Sequence, residues 1–183
     1  MYNEIFIAGS GGQGILSLGR ILISAAVEES KFVTYYPSYG AEMRGGTANC
    51  MIKISDTEIY SPVIESPTEM VIMNTPSYLK FVKKFNPKNF LFLNSSLIDE
   101  KKEIQEYIAK NLSGLNIVKL DVSDIANRIG NVLVANMVML GVLLKKVNLV
   151  KMVTVKNILE KKFDKKIALL NTKALETGFE QAK

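Results

Sequence analysis

Residues 3–30, NEIFIAGSGGQGILSLGRILISAAVEES, restrict the fold more than any other stretch of the chain. Residues 3–8 form the first strand, with its apolar segment at Ile5-Phe6-Ile7, and glycines stand at Gly9, Gly11, Gly12 and Gly14. From Ile15 to about Glu28 the pattern is a helix that is apolar on most of its sides. Such a helix must lie on a sheet and be covered by something else. The alternation then repeats. Strands are expected at Phe32 to Tyr36, at Ala48 to Ser55 and in EMVIMN, NFLFLN and NIVKLDV. The SDTE turn after Ser55 predicts a hairpin with IYSP. Between EMVIMN and NFLFLN lies a helix with Pro76 in its first turn and Pro87 beyond its end. A surface helix is expected from Asp99 to Asn111. DVSDIANRIG begins another, with Asp121 or Ser123 as its cap and Gly130 at its end. An apolar helix from about Asn131 to Lys146 and two lysine-rich helices complete the chain. This order predicts an α/β fold: a three-layer α/β/α sandwich on a mostly parallel or mixed sheet, with a Rossmann-like first βαβ unit. Residues 1–183 are read as one domain.

The glycine turn fits the G-x-G-x-x-G spacing through Gly9, Gly11 and Gly14, where backbone N–H groups and a helix N-terminus favour a phosphate. The rest of a dinucleotide site is missing, because the second strand ends in Tyr35-Tyr36-Pro37 where an acidic residue would hold a ribose. The Walker pattern fails as well, since Ile15 and Leu16 follow Gly14. Three readings fit the loop: a phosphate cradle, close packing of strand on helix, and contact with another subunit. Gln13 then gives its amide to a neighbour or to a ligand.

The second loop, SYGAEMRGG, sets Arg44 before two glycines and close to Glu42. At the carboxyl end of a strand, its guanidinium suits a carboxylate or phosphate, or a pairing with Glu42 or a partner chain. The chain has no histidine and one cysteine, Cys50, so histidine-based triads, imidazole metal ligands, iron–sulfur clusters and intramolecular disulfides are excluded. Cys50 lies in an alternating strand pattern and is read as a small core residue. Residues 1–79 hold 4 Lys+Arg against 8 Asp+Glu, and residues 80–183 hold 19 against 10, which places charges of −4 and +9 on the two parts and +5 on the whole. The lysines are scattered among acids and not interleaved with aromatics, so solvated helix faces are expected, not a nucleic-acid surface. Val132 to Leu144, interrupted by Asn136, is shorter than the roughly 20 residues of a bilayer span. With no basic leader before the first strand, the expected location is the cytoplasm.

Four ordered segments, GSGGQG, SYGAEMRGGTANC, SDTEIYSP and GNVLVANMVMLG, together resemble the gamma subunit of the 2-oxoacid:ferredoxin oxidoreductases. The resemblance thins after about Val147. It implies a multi-subunit enzyme that converts a 2-oxoacid and coenzyme A to an acyl-CoA and carbon dioxide and reduces ferredoxin, as in anaerobic metabolism. The complex would carry thiamine diphosphate, Mg and iron–sulfur clusters on its alpha, beta and delta chains, which accounts for the missing histidine and cysteines here. The wording of SYGAEMRGGTANC looks closer to 2-oxoglutarate or branched-chain members than to pyruvate members. Carried over by motif position, Gly9, Gly11, Gly12, Gln13, Gly14 and Arg44 belong to coenzyme A binding or to the interface. Tyr39, Gly40, Glu42, Gly45 and Gly46 belong to the interface. No catalytic or metal-binding residue is assigned, and the isolated chain is expected to be inactive. The rival expectation is an independent dinucleotide-binding or regulatory protein that uses the glycine loop. The apolar helices fit either a surface covered by partner chains or one well-covered core.

Overall fold

The computed structural model describes residues 1–39, 47–85, 87–99, 102–111 and 114–182. In chain order the elements are β1 (Tyr2–Ser10), α1 (Ile15–Glu28), β2 (Phe32–Tyr39), β3 (Thr47–Ser55), β4 (Glu69–Ile72), α2 (Thr75–Phe81) and β5 (Phe90–Asn94). There follow α3 (Lys102–Asn111), β6 (Asn116–Leu120), α4 (Val122–Ile129), α5 (Ala135–Val147), α6 (Met152–Lys162) and α7 (Lys165–Gln181). A 3₁₀ turn at Val132–Val134 precedes α5, so the expected single helix from Asn131 is split; the Asn131 side chain accepts from Leu133 N and caps the turn.

The six strands form one sheet in the order β2-β3-β1-β4-β5-β6. Pairs β1/β4, β4/β5 and β5/β6 are parallel, and β3 runs against both β1 and β2. The mostly parallel sheet with an antiparallel insertion is therefore as expected. The hairpin of SDTE with IYSP is not present: β3 has β2 on one side and β1 on the other, so neither edge is free for Ile59 to Pro62. β2 continues past Pro37, which lies opposite Cys50. An edge strand tolerates a proline because one of its sides has no ladder to donate to.

Helices α1 and α4 to α7 cover one face, where Ile5, Ile7, Ile52, Val71 and Phe92 meet Leu18, Leu22, Val138 and Leu175 in the larger core. α2 and α3 cover the other, where Phe6 meets Phe81 and Phe85 at ring-centroid distances of 4.9 and 4.5 Å. Every residue of α5 from Ala135 to Leu144 is buried. The late apolar run is thus a core helix covered within this chain, whereas α1 is buried along one side and exposes Val27 near its end. Among the described residues no helix is long and apolar enough to cross a membrane.

The charge asymmetry between the two parts of the chain is partly neutralised by folding. Lys161 Nζ reaches the Glu28 carboxylate at 2.9 and 3.1 Å, and Glu29 Oε1 accepts from Lys151 N and Thr154 Oγ1 at 2.7 and 2.6 Å. These contacts fasten α6 to the end of α1.

Glu69 begins β4 and is 1 % exposed, with Asn3, Thr68 and Asn89 donating to its carboxylate. Burial pushes its pKa above the usual glutamate range, and the hydrogen bonds offset this only in part. A raised folded pKa gives a contribution that is full below the unfolded value and is lost as pH rises through the folded value. Glu69→Gln is accordingly expected to flatten this loss. In denaturation series from about pH 4 to neutrality, the stability of the variant relative to the native chain should rise with pH. A constant difference across the series would mean that the carboxylate is not destabilised by burial.

Candidate functional site

β1 and β4 are neighbouring parallel strands, yet β1 feeds α1 on one face and β4 feeds α2 on the other. A crevice opens at the carboxyl ends of two strands whose helices diverge in this way, and ligands of open α/β sheets gather there. The glycine turn lies at this point. Ser10 O accepts from Gln13 N at 3.2 Å, Gly12 has φ +92°, and Gly14 is the N-cap of α1 with φ +68°. Gly14 is fixed twice over. A side chain would be strained at that φ, and a Cβ would stand 2.3 Å from Asn136 Nδ2, which donates to Gly14 O at 3.1 Å. Gly9 is buried at the end of β1 opposite Ala48, whereas Gly11 and Gly12 are exposed. The turn presents backbone to solvent beside a helix N-terminus, whose partial positive charge suits an anion.

Side-chain amides tie the strand ends together at this point. Gln13 Oε1 accepts from Ser10 N at 2.8 Å and from Asn74 Nδ2 at 2.9 Å, and Gln13 Nε2 donates to Met73 O at 3.2 Å. Asn74 is also the N-cap of α2, its Oδ1 accepting from Ser77 N at 3.0 Å. Asn94, fully buried at the end of β5, donates to the same Met73 carbonyl at 3.1 Å and to Ser123 Oγ at 2.9 Å. That bond corrects the capping expectation for α4. Ser123 is buried against Asn94, and Asp121, which does stand at the N-cap, accepts from Ser95 Oγ and makes no side-chain cap. Gly130 does end the helix, at φ +117°.

Of the second loop, the backbone of Tyr39 lies in β2 opposite Ala48; Gly40, Glu42, Arg44, Gly45 and Gly46 lie outside the described residues. Thr47, the first described residue after them, faces Ser10 across the β1–β3 pair, and Lys80 Nζ of α2 donates to its hydroxyl at 3.0 Å. Ser10, which leads into the first loop, and Tyr39 and Thr47, which bound the second, therefore lie at the same end of the sheet. Asn74, Asn94, Asn136 and Lys80 are site residues that the sequence did not single out. The available signals were a polar residue at the carboxyl end of each apolar strand and the lone Asn136 within an apolar helix.

The edge offers hydrogen-bond donors and, at Thr47, the Lys80 ammonium. Cys50 is fully buried and burial pushes its thiol up to about 12, far from the thiolate needed for nucleophilic chemistry. Among the described residues no three of His, Cys, Asp and Glu come together as metal ligands, and one buried thiol does not fit an iron–sulfur cluster.

The fold and this edge define a domain of the α/β class with a glycine turn at a topological switch point. Residues 4–181 match the pyruvate ferredoxin/flavodoxin oxidoreductase family, and the chain belongs to it. A ketoisovalerate oxidoreductase subunit, VorA, of Methanothermobacter marburgensis is 34% identical over 141 residues, which are 77% of this chain and 28% of that protein. The chain thus spans little more than a quarter of that relative. The pyruvate/ketoisovalerate oxidoreductases common subunit gamma of Thermococcus kodakarensis is 30% identical over 96% of this chain and 95% of its own length. Among solved structures, 2-oxoglutarate:ferredoxin oxidoreductase from Magnetococcus marinus, with 2-oxoglutarate, coenzyme A and succinyl-CoA bound, superposes with TM-score 0.87 at 25% identity. The match covers 99% of this chain and 31% of that one.

Proposed function

We propose that residues 1–183 act as one unit, the gamma subunit of a multi-subunit, thiamine diphosphate-dependent 2-oxoacid:ferredoxin oxidoreductase. The observation that carries the reading is the end-to-end likeness to a gamma subunit of nearly the same length. In this role the chain supplies no reacting group. Thiamine diphosphate, Mg and iron–sulfur clusters reside in alpha, beta and delta chains, and ferredoxin meets the complex there. The exposed Gly11 and Gly12, the N-terminus of α1 and Arg44 take the phosphates of coenzyme A, with Tyr39, Gly40, Glu42, Gly45 and Gly46 against a partner chain. A polyphosphate suits a helix N-terminus reinforced by a guanidinium. The support is the glycine turn at the switch point and the Lys80 ammonium beside it.

Anaerobic affinity purification of the tagged chain from its own cells, with mass spectrometry and an assay of electron transfer dependent on 2-oxoacid and coenzyme A, tests the assignment. Co-elution with thiamine diphosphate-binding chains and activity are expected. A chain that elutes alone, inactive, and binds NAD(P) would establish the dinucleotide-binding alternative instead. In the assembled enzyme, Arg44→Ala is expected to raise the KM for coenzyme A by about tenfold, the loss of one charge-assisted contact, without loss of assembly. An unchanged KM removes Arg44 from coenzyme A binding.

A further inference from the structure

We infer that Gln13 is a positioning residue: its amide clamps the glycine turn to the start of α2, so that the turn is already shaped before any ligand arrives. Within this chain the amide has little left to offer a ligand. Oε1 already accepts two hydrogen bonds, from Ser10 N in β1 and Asn74 Nδ2 at the head of α2, while Nε2 donates to the carbonyl of Met73 at the end of β4. The three partners come from the end of β1 and from the junction of β4 with α2. One side chain therefore spans the gap between two loops whose helices leave on opposite faces of the sheet.

The clamp is anchored more deeply as well. The Met73 carbonyl that receives Gln13 Nε2 also receives Asn94 Nδ2, and Asn94 is fully buried and bonded to Ser123. The geometry of the turn is thus tied through one carbonyl to the ends of β4 and β5. Asn74 is fixed in its own right, since its other amide atom caps α2. Glutamine is the residue type this arrangement requires. Glutamate would turn a lone pair toward the Met73 carbonyl in place of a donor, and asparagine is one methylene too short to span the same partners. A preorganised turn lowers the ordering cost of binding, so loss of the clamp weakens ligand affinity and leaves chemistry performed elsewhere untouched.

The test uses the full chain and its native complex with Gln13→Met, which keeps length and volume and removes the hydrogen bonds, and Gln13→Glu, which keeps the acceptor for Ser10 and Asn74. Hydrogen exchange of the full chain reads the clamp directly and needs no ligand. The Ser10 amide is expected to lose about tenfold in protection in Gln13→Met, the worth of one net hydrogen bond, with partial recovery in Gln13→Glu. The second readout rests on the coenzyme A reading proposed above: in the assembled enzyme, the KM for coenzyme A rises by about tenfold while kcat stays within about twofold. Unchanged exchange at Ser10 in Gln13→Met overturns the clamp. Altered exchange in an enzyme whose KM for coenzyme A does not move keeps the clamp and removes coenzyme A from this turn.

Discussion

Gly141→Ala is expected to lower the unfolding free energy by about 3 kcal/mol, a fall of roughly 6–12 °C in the thermal midpoint of a chain this size. On an exposed helix the same change would gain about 1 kcal/mol, because alanine is the better helix former. Here the sign is reversed by packing. A Cβ on Gly141 of α5 would stand 2.0 Å from Leu175 O and 2.7 Å from Phe179 N of α7; one on Gly178 of α7 would stand 1.9 Å from Val138 O of α5. In both directions the obstacle is backbone, which has no rotamer to retreat into. The helices must therefore move apart, opening the larger core along α5. Gly178→Ala should cost as much alone, and the double variant less than the two together, since one separation relieves both clashes. Calorimetry or denaturant unfolding of the three variants decides. A shift under about 2 °C in either single variant would mean that the two backbones do not touch.

The second large effect is expected from Glu4→Gln. Glu4 and Lys53 lie opposite each other in β1 and β3, with Lys53 Nζ 2.9 Å from Glu4 Oε1 and the Tyr2 hydroxyl donating to the same oxygen. Lys53 is 6 % exposed. Burial pulls its pKa down, but the hydrogen bonds and charge contributed by Glu4 and Tyr2 outweigh this and hold it above the ordinary lysine range. Removing the carboxylate leaves an ammonium shut away without its counter-charge, at a cost of about 3 kcal/mol. Lys53→Met should cost less, because methionine packs in the same space and Glu4 retains a path to solvent. The Glu4→Gln/Lys53→Met double variant should then be more stable than Glu4→Gln alone. The raised pKa also sets a pH window. The contribution of Lys53 is complete below the unfolded lysine value and fades as pH climbs through the folded one, so native and Lys53→Met stabilities should converge only above about pH 10.4. A loss under about 1 kcal/mol in Glu4→Gln would place the pair among ordinary surface ion pairs.

Much of the architecture is legible in the order of residues. The six strands, the helix after the glycine turn and the proline-bounded α2 follow from periodicity and turn chemistry, because each is decided over five to fifteen neighbouring residues. The failures share a cause. IYSP has the composition of a hairpin strand, and only the sheet order shows that β3 is already flanked on both sides. Ser123 has the chemistry of a cap, but Asn94, distant in sequence, takes it first.

The glycine turn was visible as a motif, and its spacing left open whether it holds a ligand, a neighbour or another subunit. The fold answers for its interior. Gln13 turns inward to Met73 and Asn74, Asn136 closes over Gly14, and Gly11 and Gly12 remain outside. By itself the sequence determined which segments are strands and helices, where glycines separate them, and which reactive groups are missing, since these depend on local sterics and composition. The tertiary structure alone decided which polar side chains meet at the carboxyl edge and which helix faces are covered. Those outcomes depend on contacts between residues far apart in the chain, such as Asn136 with Gly14, 122 positions away, and nothing local in the chain encodes the distance that folding removes.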